Sequence, residues 1–190
     1  MIIESHYHTM HYSHNKKTAL DSVNEYMQKG NIDAVNLVSL PHLPSMFGGN
    51  CDMATNIMLA IHKCENPNLY ACGAFYYNHY PLKEGEQKDF AQQAKELAEI
   101  GFDGMKLLES KPTVRNEVGL GLDAKDYDEF FSYLEENQIP LIWHVGDPAK
   151  CWDINNPPPG SVENGWFYGN GKFPTRESLF CEVYNVLNKH

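Results

Sequence analysis

A chain of 190 residues is long enough to bury one substantial core but short of the roughly 250 that a complete eight-stranded β/α barrel uses. Fifteen Lys and Arg against 25 Asp and Glu leave a formal charge of −10, so no cationic field exists to hold nucleic-acid phosphates or anionic lipid. Hydrophobic residues make up 42% of the chain, no apolar run approaches the roughly 18 residues of a membrane span, and Met1-Ile2-Ile3-Glu4 opens without a secretory signal, which predicts a soluble cytoplasmic protein with no nucleic-acid or membrane partner.

Five short apolar runs alternate with helical patterns, and together they predict a single α/β domain over 1–190. The first strand is expected over 1–8. A helix follows with Leu20, Val23 and Met27 on its buried stripe and Gly30 at its end. The second strand, 33–40, leads to a helix whose apolar residues Met53, Ile57, Ile61 and Cys64 recur at helical spacing. The third strand, 69–77, precedes a stripe of Phe90, Ala94 and Leu97 that stops at Gly101. The fourth strand, 104–108, precedes Tyr127, Phe130, Phe131 and Leu134, with Asp123 in the N-cap position. The fifth, 140–145, opens into an irregular stretch, 149–173, of the kind that more often covers an active site than links domains. Leu179, Val183, Val186 and Leu187, after Pro174-Thr175, form a last helix. Strand starts about 35 residues apart imply a parallel sheet built by β/α crossovers. The five cysteines, Cys51, Cys64, Cys72, Cys151 and Cys181, are odd in number and contain no C-x-x-C, so reduced and mostly buried thiols are expected.

Chemistry in parallel β/α folds collects where strands end, and each predicted strand here ends in polar side chains. His6 and His8 flank Tyr7, and period-two alternation puts both imidazoles on one side of the strand, able to reach one metal ion. With nine His in 190 residues, an H-x-H alone says little. Its place at the end of an apolar strand, with His144 ending a later one, makes His6, His8 and His144 a candidate metal site with an open position. His42, His79, Arg115 and Asp147 fall on predicted loops of the same face and are candidate substrate contacts, as is Lys106. Lys106 is not read as a metal ligand because an ammonium has no lone pair; an ion pair with Glu109 is its structural alternative. His11 and His14 are read as loop residues, and Trp152, Trp166, Phe167 and Tyr168 either wall a pocket or pack the loop.

Three motifs in chain order, Glu4-Ser5-His6-Tyr7-His8, Gly101-Phe102-Asp103-Gly104-Met105-Lys106 and Pro140-Leu141-Ile142-Trp143-His144-Val145-Gly146, resemble the amidohydrolase superfamily, in the amidohydrolase-related branch that includes aminocarboxymuconate-semialdehyde decarboxylase. Glu4 departs from the family's Asp. The resemblance implies the amino-terminal part of a TIM-type (β/α) barrel, with five to six β/α units present and the barrel incomplete in this chain. It implies a divalent metal at His6, His8 and His144, most simply Zn, with Mn, Fe and Ni as alternatives. The activity implied is metal-dependent hydrolysis of an amide, lactone or related small molecule, with decarboxylation as a variant and carbamylation of Lys106 as in some relatives. The family's catalytic Asp after an eighth strand is expected beyond this chain. Two other readings stand beside it. One is a non-catalytic or split-chain partial barrel that forms a homo-oligomer or is completed by a second chain. The other is a polymerase-and-histidinol-phosphatase type phosphoesterase, which also opens with an H-x-H followed by Thr, as in His6-Tyr7-His8-Thr9.

Overall fold

The computed structural model describes residues 1–9, 16–41, 43, 55–77 and 79–190. Among the described residues it is an α/β fold with five parallel strands and six helices. In order these are β1 (Ile3–Tyr7), α1 (Lys16–Gly30), β2 (Ala34–Val38), α2 (Asn56–Glu65), β3 (Leu69–Gly73), α3 (Phe90–Glu99), β4 (Gly104–Ser110), α4 (Pro112–Val118), α5 (Asp128–Glu136), β5 (Leu141–Val145) and α6 (Arg176–Leu187). The strands hydrogen-bond in the order β1-β2-β3-β4-β5. Consecutive β/α crossovers generate that singly wound order, and an incomplete TIM-type barrel shares it. No helix among the described residues is long and apolar enough to cross a membrane.

The chain forms two compact units that interleave along the sequence, one drawn from 1–76, 92–106 and 138–142, the other from 77–91, 107–137 and 143–190. In the first, β2 buries Val35, Leu37 and Val38 completely, and α1 packs with Leu20, Val23 and Met27, the stripe its spacing predicts. The stripe expected on α2 is overturned. Ile57 is 75% exposed and Cys64 is exposed, while Leu59 and His62 are buried; Met53 lies outside the described residues. Ile57-Met58-Leu59-Ala60-Ile61 is apolar throughout, so it carries no phase from which a buried face can be chosen. Strand β3 ends at Gly73, earlier than its apolar run suggests, because Asn56 replaces a neighbouring strand: its Nδ2 donates to the Ala74 carbonyl at 2.8 Å and its Oδ1 accepts from the Ala74 N–H at 3.0 Å. At Gly104 a Cβ would stand 2.6 Å from the Pro140 carbonyl oxygen, so glycine lets the chain pass this close.

The second unit is built on aromatic rings. Phe90 and Tyr127 stack at 4.3 Å with planes 10° apart, Tyr77 meets Phe90 edge-on at 6.0 Å, and Phe130 and Phe131 adjoin them. Glu109 is buried at 0% exposure, where it accepts from the Tyr77 hydroxyl and, at 2.6 Å, from the Leu108 N–H. Burial, then the Glu109 carboxylate, pushes the Tyr77 and Tyr127 phenols well above their ordinary range. The expected N-cap at Asp123 is not made. A 3-10 turn, Lys125–Tyr127, leads into α5, and Asp123 instead accepts from Asn185 Nδ2 at 2.7 Å. Thr175 does cap α6, accepting from the Ser178 N–H at 3.1 Å. Leu187, expected on the buried stripe of α6, is 63% exposed. Of the cysteines, Cys72 and Cys151 are buried free thiols, while Cys64 and Cys181 are exposed, against expectation; Cys51 lies outside the described residues.

Helix α4 has Pro112 at its start, where a missing N–H costs nothing, and ends on Gly119 at φ +81. A Cβ there would meet Pro81 Cβ at 2.8 Å and the Leu82 carbonyl at 3.0 Å. Gly119→Ala is therefore expected to lose about 1–2 kcal/mol from the left-handed backbone alone, and more from the contact. Urea unfolding at 25 °C measures it, and a loss under about 0.5 kcal/mol contradicts the argument.

Candidate functional site

Strand β1 is bulged. Glu4 faces Val35 and Tyr7 faces Leu37, so β1 advances three residues where β2 advances two. A bulge leaves backbone groups off the ladder, and here side chains take them up. Glu4 Oε1 accepts from the His6 N–H at 3.1 Å, and Asn36 Nδ2 donates to the Ser5 carbonyl at 3.1 Å. Glu4 Oε2 also accepts from the Tyr26 hydroxyl at 2.9 Å. The His6 N–H, followed by the Tyr26 hydroxyl, holds the Glu4 carboxyl below the usual carboxylate range. Glu4 thus supports the backbone from which His6 projects.

Beyond the bulge, the two rings converge, with His6 Nε2 3.0 Å from His8 Nε2 and centroids 4.8 Å apart. His8 Nδ1 lies 2.8 Å from the Val38 carbonyl at the end of β2. A carbonyl only accepts, so Nδ1 carries the proton and the neutral His8 ring presents its lone pair at Nε2. Two nitrogens at about 2.0–2.1 Å from one ion and about 90–110° apart about it would be separated by about 2.8–3.4 Å, the range in which this pair stands. As the rings stand, His8 Nε2 accepts from the His6 Nε2–H; with that proton displaced, the two nitrogens would fit two adjacent positions on a divalent ion. Among the described residues, no group of three or more His, Cys, Asp or Glu side chains is found that could hold a metal ion.

His144 belongs to the second unit, on β5. Its Nε2 stands 3.1 Å from Asp147 Oδ1, while Asp147 Oδ2 accepts from Lys111 Nζ at 2.8 Å and from the Tyr168 hydroxyl at 2.5 Å. The Asp147 side chain is 12% exposed. Burial disfavours its charge, but the hydrogen bonds from His144, Lys111 and Tyr168 outweigh burial and hold the carboxyl well below its ordinary range. Burial and the contact with Asp147 push the Tyr168 phenol up. Lys111 and Tyr168 were not legible as partners, since neither has a spacing relation to Asp147. Tyr168 is 1% exposed, packed between Trp152 (4.9 Å) and Phe173 (5.0 Å), while Trp166 is 51% exposed with Lys111 Nζ 5.8 Å from its ring centre.

Lys106 is 1% exposed on β4, a depth at which an ammonium needs partners. Arg115 Nε donates to both oxygens of Glu182 on α6, at 3.0 and 3.2 Å, and Glu182 also accepts from the Leu122 N–H. His79 is exposed and pairs with Glu86 Oε2 at 3.1 Å. His42, His11 and His14 lie outside the described residues. In the first unit, a cavity of about 280 Å³ lies at the ends of β2 and β3, lined by Leu40, Thr55, Asn56, Ile57, Ala74, Phe75 and Tyr76.

No protein-family model matches the sequence, and no curated protein does. Among solved structures, the chain is similar to a probable 2-pyrone-4,6-dicarboxylic acid hydrolase from Acinetobacter baumannii with citric acid bound, at 13% sequence identity and a TM-score of 0.46, over 99% of this chain and 79% of that one.

Proposed function

We propose that the protein is a metal-dependent hydrolase acting on a small amide or lactone, with His6 and His8 as donors to one divalent ion, most simply Zn. The observation that carries this reading is the 3.0 Å approach of the two Nε2 atoms, with His8 locked by Val38 in the tautomer that offers Nε2. A divalent ion bound there would supply Lewis-acid chemistry of the kind that polarises a carbonyl and acidifies water near neutral pH. His6 and His8 would hold it, with Glu4 and Asn36 fixing the backbone from which His6 projects and the Val38 carbonyl fixing the His8 ring. The third donor expected from the sequence is His144, and Lys106 is the candidate to bind an anionic group of the substrate.

Titrating Zn²⁺ or Co²⁺ into the purified chain, with the ion measured after dialysis, is expected to leave a single ion per chain. Restoring the ion should also restore hydrolysis across a panel of small lactones and amides. No retained ion, or hydrolysis indifferent to the ion, would sink the reading.

A further inference from the structure

We propose that Asp147 is a positioning residue for His144. It takes the Nε2 proton, so that the neutral ring keeps its lone pair on Nδ1, and Tyr168 and Lys111 hold the carboxylate in the orientation that does this. As a role in catalysis this rests on the reading of His144 as a metal donor; as a statement about the ring it does not. An ionised carboxylate has no proton to give, so the 3.1 Å contact of Asp147 Oδ1 with His144 Nε2 has one direction, imidazole to carboxylate. The other oxygen, Oδ2, is committed to the Tyr168 hydroxyl at 2.5 Å and Lys111 Nζ at 2.8 Å, and both of these donate. The carboxylate cannot rotate without losing two charge-assisted bonds, and at 12% exposure water competes poorly for its place.

The backbone delivers each partner. Gly146, at φ +61, turns the chain so that Asp147 folds back on His144 three residues earlier, and its N–H donates to the Ser110 carbonyl at 3.3 Å. Tyr168 arrives from the long stretch after β5, fixed by the bond from its own N–H to the Cys151 carbonyl at 2.7 Å. The aromatic stretch is thereby tied to the same carboxylate that orients His144, and Asp147 has both oxygens engaged within its own unit.

Asp147→Asn sharpens the test. Tyr168 and Lys111 both donate toward the Oδ2 position, so the amide turns its oxygen to them and its NH₂ to His144, whose Nε2 must then accept. The His144 tautomer should invert. Long-range ¹H–¹⁵N spectra of the imidazole rings, recorded on the full chain without added metal at pH 8.5 and assigned by loss of signals in His144→Ala, read this directly. The Nε2–H form is expected in the wild type and the Nδ1–H form in D147N, with Zn²⁺ affinity lowered about 10–100-fold in D147N. A wild-type ring in the Nδ1–H form overturns the proposal even if the variant fails to fold, as does a tautomer unchanged in folded D147N. Should the wild type retain no ion while D147N inverts the tautomer, the positioning of His144 stands and the metal reading falls; if the wild type retains the ion while the tautomer ignores the substitution, the metal reading stands and the positioning falls.

Discussion

His6→Ala is expected to weaken retention of a divalent ion by at least about 100-fold, more than the loss of a supporting side chain alone would cause. The stability cost should stay within about 0.5 kcal/mol, because the ring sits on an exposed part of β1. The two effects separate for a physical reason. The backbone around His6 is held by Glu4 and Asn36 at the bulge, and neither bond involves the imidazole. His8→Ala should weaken the ion as severely and also cost stability, since it removes the Nδ1 bond to the Val38 carbonyl and leaves a part-buried acceptor. His79→Ala is the control, because its ring pairs with Glu86 at an exposed position. Equilibrium dialysis followed by metal analysis distinguishes them. If H6A holds the ion as tightly as the wild type, the converging nitrogens are a hydrogen-bonded pair and nothing more, and the centre lies elsewhere.

How much of this was legible in the residues depends on whether a pattern carries phase. Strands β1 to β5 appear in the predicted order because alternating apolar runs and helical stripes repeat about every 35 residues. Leu20, Val23 and Met27 sit on the predicted face of α1 since polar residues separate them, whereas the unbroken run from Ile57 to Ile61 carries no phase, and the stripe read through Ile57 and Cys64 turns out exposed. Helix α4, at seven residues, is too short for a buried stripe to show in the sequence, although Pro112 at its start and Gly119 after it are the expected boundary signals. The convergence of His6 and His8 followed from period two, and the structure adds what the spacing lacked: a bulge satisfied by Glu4 and Asn36, and the Val38 carbonyl that selects the tautomer. Arg115 reads in the sequence as an open-face cation, but Glu182, 67 residues later, claims its guanidinium. No local pattern announces a partner that far away.

Phe90→Ala is expected to cost about 3–5 kcal/mol, a large share of the roughly 5–15 kcal/mol that holds a domain folded. Phe90 is 0% exposed and touches two rings at once, stacked on Tyr127 at 4.3 Å and against the edge of Tyr77 at 6.0 Å. Removing it leaves a cavity that neither ring can fill by rotating. Tyr77 is held by its hydroxyl on the Glu109 carboxylate, and Tyr127 is 0% exposed in the turn that leads into α5. The stacking geometry itself is worth about 0.5–1.5 kcal/mol beyond buried area, so Phe90→Leu, which keeps most of the volume, should lose about 1–2 kcal/mol. Urea unfolding of both variants separates cavity from stacking: equal losses would mean that shape is irrelevant here, and a loss under about 1 kcal/mol for Phe90→Ala would mean that this cluster does not anchor the second unit.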